Sequence, residues 1–169
     1  MTQLHWRLPG DLLCESVAVM RPHGARGNEG LALWLGTGDG SRVDVTHIVE
    51  VFGAGFRTAP LHMRLSLRAM AVLTDLTERL DVFLVGQIHS HPERLLDLSA
   101  LDQEHGIRIP NYLSVVCPYY AQRQVAGLNE CGVHVFEYQR YRRMSTDEIS
   151  RRGIVCNAQV TKIRCEVPA

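Results

Sequence analysis

The run "VFLVGQI", residues 82–88, is short, branched and nearly all apolar, and it ends at His89-Ser90-His91-Pro92. A segment of this length and composition is expected to be a strand covered on both faces, because only then is a continuous apolar run wholly removed from water. Such a strand needs other strands beside it and helices above and below it. Pro92 has no backbone N–H to give a ladder, so the strand stops there. A strand does not need histidines in order to end, so the pair directly after it asks for a chemical explanation.

The rest of the chain supplies the expected neighbours. Its 169 residues suit one domain with a sizeable core, and no repeat or low-complexity linker divides residues 1–169. "GLALWL" at 30–35 and "RVDVTHIVEV" at 42–51 flank a Gly-Asp-Gly turn and predict a hairpin. Gly36, Gly38 and Gly40 resemble a phosphate loop only superficially: the GK[ST] ending is missing and a strand follows. "CESVAVMR" at 14–21 reads as a helix or a strand lead-in. Residues 60–80 read as a helix opened by Pro60, with apolar residues recurring at Leu61, Leu65, Ala69, Val72, Leu73, Leu76 and Leu80. "LSALDQEHG" predicts one or two helical turns ended by Gly106, and "LSVVCP" and "GVHVFEY" predict strands. "STDEISRR" predicts a helix capped by Ser145 with Glu148 three residues on, and "CNAQVTKIRCEV" a last strand. Strands and helices are therefore mixed, which predicts an α/β or α+β sandwich; the fold class taken is α/β, a mixed, mostly antiparallel β-sheet flanked by helices.

Composition narrows the function. Formal charge sums to zero, which argues against a nucleic-acid or membrane-surface partner. No apolar stretch reaches the roughly 18 residues of a membrane span, and no signal segment opens the chain. Five cysteines, an odd number with no CxxC pair, predict reduced thiols and a cytoplasmic location. Lys162 is the only lysine, against seventeen arginines. An arginine-biased genome explains this most simply; work beside lysine-modifying machinery is the alternative.

His89 and His91 stand at i and i+2, so on extended backbone they share a face and can converge on one ion. Asp102, in the first turn of the next helix, can bring a carboxylate to the same point. Two imidazole nitrogens and one carboxylate oxygen are a normal zinc set, and three protein ligands leave a fourth position for water. The same residues have a plainer reading: HxH pairs occur by chance, and Ser99-Ala-Leu-Asp102 is also a helix capping box.

Taken together the spacing is H-x-H-x7-S-x2-D, which closely resembles the JAMM (MPN, JAB) metalloprotease family. That family also needs an upstream glutamate beside a short apolar strand, and "RGNEGLALWLG" offers Glu29. Alone, Glu29 between Asn28 and Gly30 reads as a solvated loop acid. The resemblance runs from about residue 15 to about residue 120. It implies the MPN/JAB fold, which is cytidine-deaminase-like. It implies that His89, His91 and Asp102 hold Zn2+, that Glu29 is the general acid/base, and that Ser99 hydrogen-bonds the attacking water or the oxyanion. It implies an isopeptidase acting after the C-terminal glycine of a ubiquitin-like protein. The partners would be that protein, its conjugates, and the activating and conjugating enzymes of the same system. Short bacterial JAB proteins of this kind accompany ubiquitin-like conjugation or antiphage defence systems. The alternatives are a JAMM hydrolase of another substrate, such as a sulfur-carrier precursor or a phage-tail-type peptide, and a non-catalytic MPN scaffold.

Other candidates are weaker. Cys117 next to Pro118 could pair with His105 or His134 as a nucleophile, but its apolar strand predicts a buried structural thiol. His23, His47, His62 and His134 have no partners at metal spacing. "RYRR" at 140–143, with Arg151 and Arg152, is read as a solvated basic face that could also meet an acidic partner.

Overall fold

The computed structural model describes residues 3–169. Its strands and helices run β1 (His5–Pro9), α1 (Leu12–Gly24), β2 (Leu31–Gly38), β3 (Arg42–Phe52), β4 (Phe56–Ala59), β5 (His62–Leu65), α2 (Leu67–Leu80), β6 (Phe83–Ser90), α3 (Ala100–His105), β7 (Leu113–Cys117), β8 (Gly132–Glu137), β9 (Arg140–Arg143), α4 (Thr146–Arg152), β10 (Gly153–Cys156) and β11 (Thr161–Glu166). One nine-stranded sheet has the order β10-β1-β3-β2-β6-β7-β8-β9, with β11 also on β3; β4 and β5 form a separate two-stranded ribbon.

The sheet is mixed, but it is not mostly antiparallel. The pairs β1–β10, β1–β3, β3–β11 and β6–β7 are parallel. The pairs β2–β3, β2–β6, β7–β8 and β8–β9 are antiparallel. The expected β2–β3 hairpin is present. Three of the four parallel pairs involve β1, β10 and β11, which join chain ends that no short-range pattern connects.

Strand alternation sorts the core into two layers. Leu31, Leu33 and Leu35 of β2 face one cluster with Ala69, Leu73 and Leu76 of α2. Ala32 and Trp34 face the other, with Val17 and Met20 of α1 and Ile149 of α4. The central strand buried along both faces is thus β2. In β6 the covered part is the end that leads to the histidines, and Phe83 at its start is 63% exposed.

The helix expected from Pro60 begins seven residues later. Residues 62–65 pair with 56–59 as β5 and β4, and α2 starts at Leu67 after Ser66, whose hydroxyl accepts from Ala69 N. Met63 and Leu65 alternate inward beside Phe56, a period-2 pattern that the leucine spacing had masked. Leu61, placed on the expected apolar helix face, is 65% exposed in the turn between the strands. Residues 14–21 lie within α1. The Ser145 cap is present, with its hydroxyl accepting from Glu148 N.

Candidate metal centre

β6 carries His89, and His91 follows directly after its last residue, Ser90. The pleat puts His89 and His91 on one face, and their Nε2 atoms stand 3.1 Å apart. His89 is fully buried and His91 is 5% exposed. The backbone around them is pinned on three sides. Ser90 N donates to Gly30 O, and Gly30 N donates to Ser90 Oγ at 2.9 Å. His91 N donates to Cys117 O, and His91 O accepts from Tyr120 N.

α3 delivers the carboxylate. Asp102 Oδ1 lies 3.6 Å from His89 Nε2, and Oδ2 lies 3.2 Å from His91 Nε2. Ser99 N donates to Asp102 Oδ2 at 2.7 Å, and Asp102 N donates to Ser99 Oγ at 3.1 Å. The capping box and the ligand geometry are therefore one arrangement, because the box aims the carboxylate at the imidazoles. Ser99 Oγ accepts from the helix backbone, and the Ser99 side chain also supports the Asp102 carboxylate.

The segment between Gly24 and β2 delivers Glu29. It is 2% exposed, with Oε1 3.7 Å from His91 Nε2. β2–β6 pairing, which sets Leu31 opposite His89, brings it there. Glu29 N donates to Ala59 O at the tip of the β4–β5 ribbon. A Cβ on Gly30 would come within 2.8 Å of Met20 in α1, so only glycine allows the helix to close on this corner. The solvated loop acid expected from the sequence alone is a buried carboxyl.

Electrostatics follow from this burial. Desolvation pushes the Glu29 carboxyl up to about 7, with His91 opposing and the Asp102 carboxylate adding to the rise. Burial works against the Asp102 anion, but His89, His91 and Ser99 outweigh it and hold this carboxyl well below the usual range. Desolvation lowers the His89 imidazole against the pull of Asp102. It acts on His91 too, but Asp102 and Glu29 overcome it and raise that imidazole.

His89, His91 and Asp102 offer ligand atoms that all lie within 4.8 Å of one another. Donors 2.0–2.2 Å from a tetrahedral ion stand roughly 3.3–3.6 Å apart, close to the separations seen here. Oε2 of Glu29 is buried beside them without a hydrogen-bond partner among the described residues. The triad can bind a metal ion.

The remaining candidates fall elsewhere. Cys117 is wholly buried in β7, opposite neither His105 nor His134. His134 is buried in β8, and His62 lies exposed on β5. Arg142, on the "RYRR" strand, is not simply solvated: it donates to Glu148 and Glu137. A groove of about 360 Å³ between α1 and β11, lined in part by Glu15, Ile48 and Lys162, includes none of the site residues.

Ser90 and Tyr120 carry no sequence signal of their own, yet both hold the site. Tyr120 OH donates to Pro60 O at 2.8 Å, tying the ribbon tip to the turn that carries His91 O. Tyr119, Tyr120 and Ala121 have φ of 55°, 52° and 57°. Left-handed backbone at three consecutive non-glycine residues is strained and persists only where surrounding contacts enforce it.

No protein-family profile matches the chain, and neither does any curated protein. Among solved structures, the chain is similar to the solution structure of protein DSY2949 from Desulfitobacterium hafniense. The TM-score is 0.66 at 18% identity, with 90% of this chain and 94% of that one covered. At that identity the likeness is one of fold: the mixed sheet and its helices recur in both chains.

Proposed function

We propose that the chain is a zinc-dependent peptidase of the JAMM type. It would cleave the amide bond after the C-terminal glycine of a ubiquitin-like protein, in the cytoplasm and within a conjugation or antiphage defence system. One observation carries this reading: a buried glutamate stands beside two histidines and an aspartate whose donor atoms have the spacing of a three-ligand site. A structural zinc site would close the shell with a fourth protein ligand, whereas three ligands and an adjacent acid suit catalysis.

Zinc held by His89, His91 and Asp102 would supply a Lewis acid for the scissile carbonyl and lower the pKa of a water toward about 7. Glu29 takes a proton from the attacking water as its oxygen bonds to the carbonyl carbon. Glu29 then passes that proton to the amide nitrogen as the C–N bond breaks, leaving a carboxylate and a free amine. A carboxyl beside the attacking water can do both in turn. The Ser99 hydroxyl would donate to the developing oxyanion, a contribution worth roughly 3 kcal/mol per donor in other enzymes. The Gly-Gly end of a ubiquitin-like tail has no side chains to obstruct an extended path, and such a path can be held by strand addition.

The test uses metal-replete protein and a panel of ubiquitin-like fusions. About one zinc per chain and cleavage after the terminal glycine, lost in Glu29→Gln, are expected. A protein that takes up no zinc, or a Glu29→Gln variant that cleaves as fast, overturns the proposal.

A further inference from the structure

α3 carries Asp102 but buries none of its own residues, so packing under the helix does not fix where the carboxylate stands. At six residues it is also too short to hold itself together in water. Its position is set at its two ends, and both ends lead to β9, the "RYRR" strand. After the helix, Tyr141 OH donates to Ile107 O. The Tyr141 ring lies against Gly106, where a Cβ would come within 2.7 Å of Tyr141 Cε2 and closer still to Asp102 O. Before the helix, Leu98 is buried and Arg143 donates to Asp97 Oδ1 at 2.7 Å, two residues ahead of the Ser99 cap. Tyr141 and Arg143 are i and i+2 on one strand and so share a face. Arg142 between them turns the other way, to Glu137 and Glu148, and anchors the strand. Partners on β8 support the pair. Phe136 stands opposite Tyr141 with ring centroids 5.2 Å apart, and His134 stands opposite Arg143 with Nε2 4.0 Å from the same Asp97 oxygen.

We infer that β9 positions the Asp102 carboxylate: Tyr141 and Arg143 grip segment 97–107 at both ends and set where α3 sits against His89 and His91. Both are positioning residues, acting through the segment that carries Asp102. The capping box cannot do this alone. It aims the carboxylate relative to the helix, but it does not place the helix relative to the sheet. His89 belongs to β6, three strands along the sheet from β9. Gripping α3 from β9 therefore ties the third donor to the same sheet that holds the other two. Such a tie matters because metal–ligand distances tolerate only about 0.2 Å of error. The inference rests on the proposed function only in taking Asp102 to be a metal ligand; the grip on α3 is independent of it.

The experiment reads local opening and metal affinity, not turnover. Amide hydrogen exchange is followed in the full metal-free chain, and zinc affinity by competition with a chromophoric chelator. Tyr141→Phe keeps the ring and loses only the donor. It is expected to speed exchange at residues 102 and 103 about tenfold while residues 88 and 115, in β6 and β7, keep their protection. Zinc Kd should rise about tenfold, the usual scale for a residue that orients a ligand, and the visible bands of the cobalt-loaded protein should change. Arg143→Gln and Asp97→Asn should each weaken zinc about threefold, and the double variant no further, because the two share one contact. Arg140→Gln, on the same strand, should change neither reading. Unchanged exchange at residues 102 and 103 in Tyr141→Phe, or zinc held as tightly once they are loosened, would overturn the inference. So would a lower Tm with exchange raised evenly across the sheet and cobalt bands unaltered, which marks a contact that serves only stability. A parent chain that takes up no metal defeats the zinc reading alone, since exchange at 102 and 103 still decides whether β9 holds α3.

Discussion

The carboxylate of Glu29 stands 3.7 Å from Nε2 of His91, both residues being almost wholly buried. In the metal-free chain this has a pH consequence. Burial raises the folded-state pKa of Glu29 to about 7 from 4.5. Between those values the folded state binds the proton more tightly than the unfolded state does. Its contribution to stability is therefore present below about pH 4.5 and is lost as pH rises through about 7, a swing of roughly 3 kcal/mol. Glu29→Gln removes the swing. Urea unfolding of the metal-free proteins at pH 5 and pH 8 should show the variant gaining on the parent as pH rises, and a constant difference would contradict this.

His89, His91 and Asp102 must all be deprotonated to hold a metal, and the unfolded chain has no such site. Saturating zinc should therefore raise Tm by about 5–10 °C, on the scale of a ligand at a hundred times its Kd. Chelation should reverse the gain, and His91→Ala should abolish it while far-UV circular dichroism stays unchanged. The gain should fade on acidification, since protons compete at the His91 imidazole, which is raised above its ordinary value. Calorimetry with and without chelator at pH 7 and pH 6 measures both effects.

Ser99 caps α3, and the oxyanion contact proposed for its hydroxyl can be separated from that role. Ser99→Ala should cost about 1 kcal/mol of stability and about 10²-fold in rate. Ser99→Asp, a good cap without a donor proton at pH 7, should recover the stability and leave the rate low. A rate that returns with the cap would show that the hydroxyl serves only the helix.

Arg152 is 1% exposed, donates to Leu4 O, Glu148 and Glu137, and lies 4.4 Å over the Trp6 ring. Arg152→Ala leaves two carboxylates partly compensated, because Arg142 still reaches both. The expected loss is about 3 kcal/mol, at the low end for a broken buried pair. Arg152→Lys should recover little, since one ammonium cannot reproduce the fork. Thermal melts of both variants measure it, and an unchanged Tm in Arg152→Ala would show the network to be neutral.

Much of the site was legible because its parts are local. The i, i+2 histidines needed only the pleat, and Ser99 with Asp102 needed only the first turn of a helix. The hairpin after β2 was legible for the same reason. The start of α2 was misplaced because leucines at 61 and 65 fit a helix as well as a strand turn, and pairing with residues 56–59 decided between them. "RYRR" could not be recognised as part of a buried ion network, since its partners Glu137 and Glu148 come from β8 and α4. The parallel partners of β3 were equally hidden, because they come from the two ends of the chain.

From the order of residues alone came the mixture of strands and helices, the strand that ends in two imidazoles, and the capped turn that carries a carboxylate. These depend on backbone geometry over a few residues. Tertiary structure decided that Glu29 is buried rather than solvated, that Ser90 locks Gly30 to the histidine strand, and that the tip of the β4–β5 ribbon is bonded to the same corner. Those outcomes depend on which distant strands pair and which apolar faces they bury together, a balance set by the whole chain and by no short segment of it.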